Sequence, residues 1–88
     1  MENYKILISS SAEKSLKKIP KKDLSRIVLT ISHLSNDPFP VGSRKLTGED
    51  NVYRIRQGQY RVIYEVYKDK ILVIVLKIGH RKDVYKKN

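Results

Sequence analysis

The feature that most constrains the fold is a change in the spacing of apolar residues along the chain. Between Leu24 and Leu34 they recur at helical spacing, whereas from Val52 onward apolar and polar residues alternate as in β-strands. Turns are predicted at Gln57-Gly58 and Lys68-Asp69, where hairpin connections are favoured. The second half of the chain is therefore predicted to form a meander of three strands, Val52–Gln57, Tyr60–Tyr67 and Lys70–Ile78.

The residues before this helical segment predict one more strand and one more helix. Tyr4–Ile8 is typical of a strand, and Ser10 with Glu13 has the spacing of a capping box at a helix start. This helix should end near Ile19, because Pro20 interrupts it and can open the second helix. Two helices joined by so short a turn predict an antiparallel helical hairpin.

The whole chain is predicted to form a single domain, residues 1–88, because this length allows only one modest core. Ile71–Leu76 is apolar throughout, which predicts an interior strand covered on both faces, with the first strand as its second neighbour. Ser35–Arg44 contains proline and glycine and is predicted to be loop. The predicted class is α+β: an N-terminal strand, a helical hairpin and a three-stranded antiparallel meander, forming one mostly antiparallel sheet with helices on one face.

The charge of the chain predicts a polyanionic partner. There are 19 basic and 9 acidic residues, a net charge of +10. Nucleic acid fits this field best, although an acidic protein or an anionic membrane surface would also be attracted. The chain has no cysteine, and the start shows no signal-peptide pattern. Its longest apolar run is far shorter than the roughly 20 residues that span a membrane, so a cytoplasmic protein is predicted.

Pairing the predicted hairpin places three arginines on one face of the sheet. With Gln57-Gly58 as the turn, Arg54 faces Arg61, and Arg56 shares their side. Planar guanidinium groups gathered in this way match the oxygens of a phosphate. The alternative is a solvated face whose arginines point apart. The opposite face is predicted to be apolar, with Tyr53, Ile55, Tyr60, Val62 and Tyr64.

The segment that follows the last strand, Gly79–Tyr85, contains further candidates for chemistry. If the chain folds beside the hairpin here, Arg81 and Tyr85 approach the three arginines. His80 could transfer a proton near neutral pH, although a lone surface histidine is the commoner outcome. His33 lies within the pattern of the second helix and is interpreted as a structural or exposed residue.

Four short motifs resemble the RelE/ParE toxin superfamily, and more closely its RelE branch. They are Lys45–Gly48, Tyr53–Arg56, Gly58–Tyr64 and Gly79–Tyr85, and with the order of elements the resemblance covers nearly the whole chain. It implies the toxin of a type II toxin-antitoxin pair, restrained by an antitoxin protein. Such a toxin enters the ribosomal A site and cleaves messenger RNA without a metal or other cofactor: the 2′-hydroxyl of the substrate attacks the adjacent phosphate, leaving a cyclic phosphate and a free 5′-hydroxyl.

The resemblance also implies roles for individual residues. Arg54 and Arg56 occupy the positions of two basic residues, Arg61 that of the arginine that stabilises the phosphate, and Arg81 that of a second arginine. Tyr85 corresponds to a tyrosine thought to act on the base or in proton transfer.

The best-understood members have lysines where this chain has Arg54 and Arg56. Because arginine stays charged in proteins, these two residues can stabilise charge but are not convincing general bases. That role falls to Tyr85 or His80, unless cleavage depends chiefly on positioning and charge.

Two other functions fit the same sequence. One is that of the ParE branch, which shares the fold but inhibits DNA gyrase and is not a nuclease. The other is an RNA-binding module without catalysis. The basic helical hairpin also has two interpretations, a solvated face or a contact to ribosomal RNA phosphates, and its cations are Lys14, Lys17, Lys18, Lys21, Lys22 and Arg26.

Overall fold

The computed structural model describes residues 3–80, and it shows the predicted α+β arrangement with one additional strand. Both helices lie in the first half of the chain and the three long strands in the second. The elements in chain order are β1 (Lys5–Ile8), α1 (Ser10–Lys18), α2 (Lys21–His33), β2 (Arg44–Lys45), β3 (Val52–Gln57), β4 (Tyr60–Tyr67) and β5 (Leu72–His80).

The strands form one sheet in the order β1-β5-β4-β3-β2. β1 runs parallel to β5, and all other neighbours are antiparallel. The prediction of an interior last strand with the first strand beside it is therefore confirmed. The edge strand β2 was not predicted, because two polar residues beside a proline-rich segment show no alternation from which a strand could be recognised.

A single core lies between the helices and one face of the sheet. The inward residues of β3, β4 and β5 alternate with outward ones, and the buried residues of α1 and α2 pack onto them. The core cluster consists of Ala12, Ile27, Ile31, Leu34, Ile55, Val62, Tyr64, Val66, Val73, Val75 and Ile78.

No helix in residues 3–80 is long and apolar enough to cross a membrane.

The start of α1 differs from the prediction by one residue, because Ser9 rather than Ser10 is the N-cap. The Ser9 hydroxyl accepts a hydrogen bond from the backbone N–H of Ala12 at 3.1 Å and donates one to the carbonyl of Leu76 at 2.7 Å. Its second bond goes to the neighbouring strand, a partner that helix spacing alone does not reveal. Pro20 is the N-cap of α2 rather than its first helical residue.

The β3–β4 hairpin turns one residue later than predicted, at Gly58 and Gln59. Gly58 has a φ of 61°, a left-handed conformation that glycine adopts without strain, and it explains where the turn forms. Arg61 consequently faces Arg56 rather than Arg54. The predicted division of side chains between the two faces is nevertheless confirmed, because this shift preserves which residues share a side.

Strand β5 departs from the prediction at both ends and on one face. It begins at Leu72, after Ile71 adopts a φ of 50°, and it extends to His80. Val73, Val75 and Ile78 are buried against the helices, whereas residues 72, 74 and 76 are only partly buried on the described structure. Coverage on both faces, which the uninterrupted apolar run suggested, is thus incomplete. Between Val75 and Lys77 the register shifts by one residue.

Candidate nucleic-acid interface

Two arginines lie directly opposite each other on the face of the sheet away from the helices. The backbone N–H of Val66 donates to the carbonyl of Asn51 at 2.9 Å, and this bond fixes which facing pairs exchange hydrogen bonds. Arg56 and Arg61 then form a pair without such bonds, the kind in which side chains approach most closely. Two cationic side chains are therefore brought together.

A second row of residues crosses the same face beside this pair. Arg44 of β2 faces Arg54 of β3, which faces Ile63 of β4, which in turn faces Lys77 of β5. Sequence reasoning missed both end members. Arg44 is on this face because the short edge strand β2 pairs with β3. Lys77 is on this face because the bulge at Leu76 reverses the alternation of side chains in β5. A signal was present, since Lys77 is the one charged residue in an apolar strand.

We call these five cations, Arg44, Arg54, Arg56, Arg61 and Lys77, the arginine face. Like charges placed opposite each other on a sheet cost roughly 0.2–1 kcal/mol per pair, so a bound anion would relieve this repulsion. Ile63, which lies between Arg54 and Lys77 in the same row, is only 6% exposed. Such an apolar floor lowers the local dielectric constant and strengthens the attraction between a guanidinium and a phosphate.

His80 does not join the arginine face. It faces Tyr60 across β4 and β5, and the two rings meet edge to face with centroids 5.6 Å apart. Tyr60 packs against the core, so His80 is on the helix side of the sheet. Arg81 and Tyr85, the remaining predicted site residues, lie outside the described residues.

A cleft of about 700 Å³ adjoins the arginine face at the edge of the sheet. We call it the edge cleft. It lies between α2, the loop of residues 40–42 and β3, and Arg44, Arg54 and Arg56 contribute to both it and the arginine face. His33, which was predicted to be structural or exposed, is exposed and lines this cleft.

An aromatic cluster fastens the loop that forms one wall of the edge cleft. The buried hydroxyl of Tyr64 donates a hydrogen bond to the carbonyl of Pro38 at 2.8 Å. The ring of Tyr53 stacks on Tyr64 with centroids 6.0 Å apart, and Phe39 meets Tyr53 edge to face at 5.0 Å. The prediction that Tyr64 belongs to the core is confirmed, and its hydroxyl adds a fixed attachment for the loop.

Replacing Tyr64 with phenylalanine is expected to change stability in a pH-dependent way. Burial raises the pKa of Tyr64 from 10.0 to about 12, so the folded protein retains this proton more strongly than the unfolded chain. The contribution of this protonated hydroxyl to the free energy of unfolding is fully present below pH 10.0 and is lost as pH rises to about 12. The Tyr64→Phe variant should lack this alkaline loss.

Urea unfolding of both proteins from neutral to alkaline pH measures the difference. At neutral pH the Tyr64→Phe variant should be less stable by about 1–3 kcal/mol, because the buried Pro38 carbonyl loses its donor. The gap between the two proteins should narrow as pH rises. A gap that stays constant up to pH 12 would contradict the assignment.

The basic residues of the helices lie outside both the arginine face and the edge cleft. All six side chains are exposed, so the prediction of a basic helical surface is confirmed, while its partner is not decided. Within residues 3–80, no three histidine, aspartate or glutamate side chains come close enough together to hold a metal ion. The six cations are Lys14, Lys17, Lys18, Lys21, Lys22 and Arg26.

Comparison with known proteins agrees with this architecture. A family model described as the ParE toxin of the type II toxin-antitoxin system parDE matches residues 6–85. Toxin RelE3 of Methanocaldococcus jannaschii is 35% identical over 85 residues, covering 92% of this chain and 94% of the relative. Toxin RelG of Mycobacterium tuberculosis is 30% identical over 88 residues, covering 96% and 98%.

Solved structures show the same fold. The crystal structure of an archaeal RelE-RelB complex from Pyrococcus horikoshii superimposes with a TM-score of 0.82 at 30% sequence identity, covering 92% of this chain and 98% of that one. The family match extends over nearly all of the sheet and both helices, and it includes every residue of the arginine face. The chain therefore belongs to the RelE/ParE family of type II toxin-antitoxin toxins.

Proposed function

We propose that this protein is a ribosome-dependent endoribonuclease that cleaves messenger RNA in the A site. The observation that supports it most is the arginine face, where Arg56 and Arg61 lie side by side next to the row formed by Arg44, Arg54 and Lys77. Such a surface can bind consecutive phosphates of a single RNA strand and stabilise the charge that develops on one of them. The relatives named RelE and RelG support the same activity.

In the proposed reaction the RNA supplies its own nucleophile. The 2′-oxygen forms a bond to the adjacent phosphorus, and the bond from phosphorus to the 5′-oxygen of the next nucleotide breaks. The 2′-hydroxyl gives its proton to a base, and the leaving 5′-oxygen receives one. Arg61 holds the phosphate through its planar fork of donors, with Arg54 and Arg56 adding positive charge.

The proton transfers need groups other than these arginines. His80 lies on the helix side of the sheet, away from the arginine face, so it is a poor candidate for the base. The proposal therefore assigns proton transfer to Tyr85, with Arg81 as a further phosphate contact, as the family resemblance implies. No metal takes part in this scheme, because the charges on the phosphate are met by guanidinium groups.

We further propose that a cognate antitoxin binds and inhibits this protein in the cytoplasm. The Pyrococcus horikoshii relative was solved as a complex of RelE with RelB. A chain with a net charge of +10 would attract an acidic or mixed-charge partner. A segment of that kind could order as it binds and cover the arginine face.

A purified translation reaction tests the nuclease. We expect messenger cleavage within the codon in the A site only when ribosomes are present, with 2′,3′-cyclic phosphate and 5′-hydroxyl ends. Mapping the ends by primer extension, with a matched reaction lacking ribosomes, measures this. RNA that is bound but never cut would instead indicate a binding module.

The name of the matching family model also favours a second candidate, a ParE-type inhibitor of DNA gyrase. A gyrase supercoiling assay with the same protein preparation separates the two functions. Inhibited supercoiling together with intact messenger in the translation reaction would replace the nuclease proposal with the gyrase one.

A further inference from the structure

We propose that the edge cleft binds one nucleotide of the single-stranded RNA substrate, next to the nucleotide whose phosphate lies on the arginine face. The inference rests on the proposed function and specifies a part of the substrate that the arginine face alone does not address. It adds a second contact for Arg44, which is already part of the arginine face, and it assigns a binding role to Val41, which neither the sequence patterns nor the family comparison singled out.

The charge of the edge cleft favours an anion. Arg44, Arg54, Arg56 and His33 all line it, and no carboxylate is among its lining residues on the described structure. Arg44 and Arg54 are directly opposite each other in the β2–β3 pair. Within residues 3–80, neither of these two arginines forms an ion pair with a carboxylate. A phosphate group between them would supply the missing counter-charge.

Part of the rim of the edge cleft is apolar and can pack against a nucleotide base. Val41 is fully exposed to solvent at the tip of the loop, between Pro40 and Gly42, and it lines the cleft. Ile55 also lines it. In single-stranded RNA a base can leave the stack and pack against apolar or planar side chains. The volume of about 700 Å³ is in the range of clefts that hold small organic ligands, about 300–1,000 Å³.

The position of one amide group adds hydrogen-bonding capacity beside this rim. Thr30 of α2 donates a hydrogen bond from its hydroxyl to Oε1 of Gln57 at 2.8 Å, and both residues line the edge cleft. This bond orients the amide of Gln57, and its nitrogen keeps two N–H donors for the oxygen or ring-nitrogen acceptors of a base. Cationic, apolar and hydrogen-bonding groups therefore converge on one cleft.

The edge cleft and the arginine face form one continuous path for RNA. Arg44, Arg54 and Arg56 belong to both, and the backbone at Arg56 is one strand spacing, about 4.8 Å, from that at Arg61. An RNA strand whose phosphate is held by Arg61 can thus pass over Arg56 and turn around the edge of the sheet beside β2. The neighbouring nucleotide then reaches the cleft without leaving the cationic surface.

Binding of uncleavable RNA to the full chain tests this proposal without requiring catalysis. The probes are short fluorescent single-stranded RNAs with 2′-O-methyl groups. The minimal RNA spans only the arginine face, and two longer RNAs extend it by one nucleotide at the 5′ or the 3′ end. Anisotropy titrations over a range of salt concentrations compare the wild type with Arg44→Ala and Val41→Ser. Lys70→Ala is the matched control for loss of one positive charge, because Lys70 is exposed in the turn between β4 and β5.

We expect one extended RNA to bind the wild type more tightly than the minimal RNA, and Arg44→Ala to abolish that advantage. Arg44→Ala should also reduce the slope of log affinity against log salt by about 0.7, the value for one single-strand phosphate contact. Val41→Ser should weaken binding about fivefold with an unchanged slope, because it removes only apolar contact. Lys70→Ala should bind like the wild type.

The outcomes also separate this inference from the proposed function. If Arg61→Ala weakens RNA binding while Arg44→Ala and Val41→Ser do not, the cleft is not an RNA subsite and the nuclease proposal survives. If the wild type binds none of the RNAs at low salt, this inference is overturned, while the nuclease proposal is still decided by the translation reaction with ribosomes. If an acidic peptide binds the wild type but not the Arg44→Ala variant, while the two proteins bind RNA equally, the cleft is a protein-binding site instead.

Discussion

Replacing Arg61 with alanine is expected to reduce the rate of messenger cleavage by about 10²–10³-fold, equivalent to about 2.7–4 kcal/mol of transition-state stabilisation. Arg61 lies opposite Arg56 beside the buried Ile63, so its guanidinium acts near an apolar floor where charge interactions are strong. Single-turnover cleavage on ribosomes stalled with a defined codon in the A site measures the effect. The loss should appear in the cleavage step, because the negative charge on the phosphate oxygens grows in the transition state.

Two further variants make this prediction specific. Arg61→Lys keeps the charge but loses the planar fork, so its rate should fall between those of the wild type and Arg61→Ala. Lys70→Ala removes one exposed positive charge in the turn between β4 and β5 and should cleave at the wild-type rate. Thermal unfolding of each variant checks that the fold is retained. If folded Arg61→Ala cleaves as fast as the wild type, the assigned role of Arg61 is wrong.

Replacing Ile27 with alanine is expected to destabilise the fold by about 2–5 kcal/mol, the usual cost of truncating a fully buried aliphatic side chain. Ile27 is 0% exposed and belongs to the core cluster under α2. The cost is a large fraction of the roughly 5–15 kcal/mol that stabilises a typical domain. Urea unfolding followed by circular dichroism should show the midpoint shift, and the thermal midpoint should fall by about 4–8 °C for each kcal/mol.

The matched control for Ile27→Ala lies on the same helix. Leu29 is 56% exposed, so Leu29→Ala should change stability by less than about 0.5 kcal/mol, because it truncates an aliphatic side chain of the same size that is not in the core. Equal destabilisation by the two substitutions would contradict the assignment of Ile27, and not Leu29, to the core.

Much of the fold was predictable because its signals are local and periodic. β3 and β4 have the predicted bounds, since the alternation from Val52 to Tyr67 is interrupted only at the turn. The Ser9 cap, the edge strand β2 and the bulge at Leu76 were not predicted. Each depends on a partner distant in sequence: the Leu76 carbonyl for Ser9, β3 for β2, and β4 for the bulge.

The part of the candidate site that could be predicted is the part that depends only on which side chains share a face of the sheet. Arg54, Arg56 and Arg61 share a face in any register that differs by two residues, so their grouping was correct although the pairing of Arg61 was not. Arg44 and Lys77 could be assigned to the arginine face only from the strand pairing in the tertiary structure. The edge cleft could not be anticipated at all, because it is formed by a helix, a loop and a strand edge whose spacing no local pattern encodes.

The parallel pairing of β1 with β5 has a consequence for biosynthesis. The first strand can be completed only by hydrogen bonds to the last one, such as that from the Ser9 N–H to the Val75 carbonyl at 2.9 Å. Closing a chain segment of this length carries an entropic cost that no early contact offsets. A nascent polypeptide therefore cannot complete its sheet until β5 has left the exit tunnel, and until then β1 lacks its partner strand.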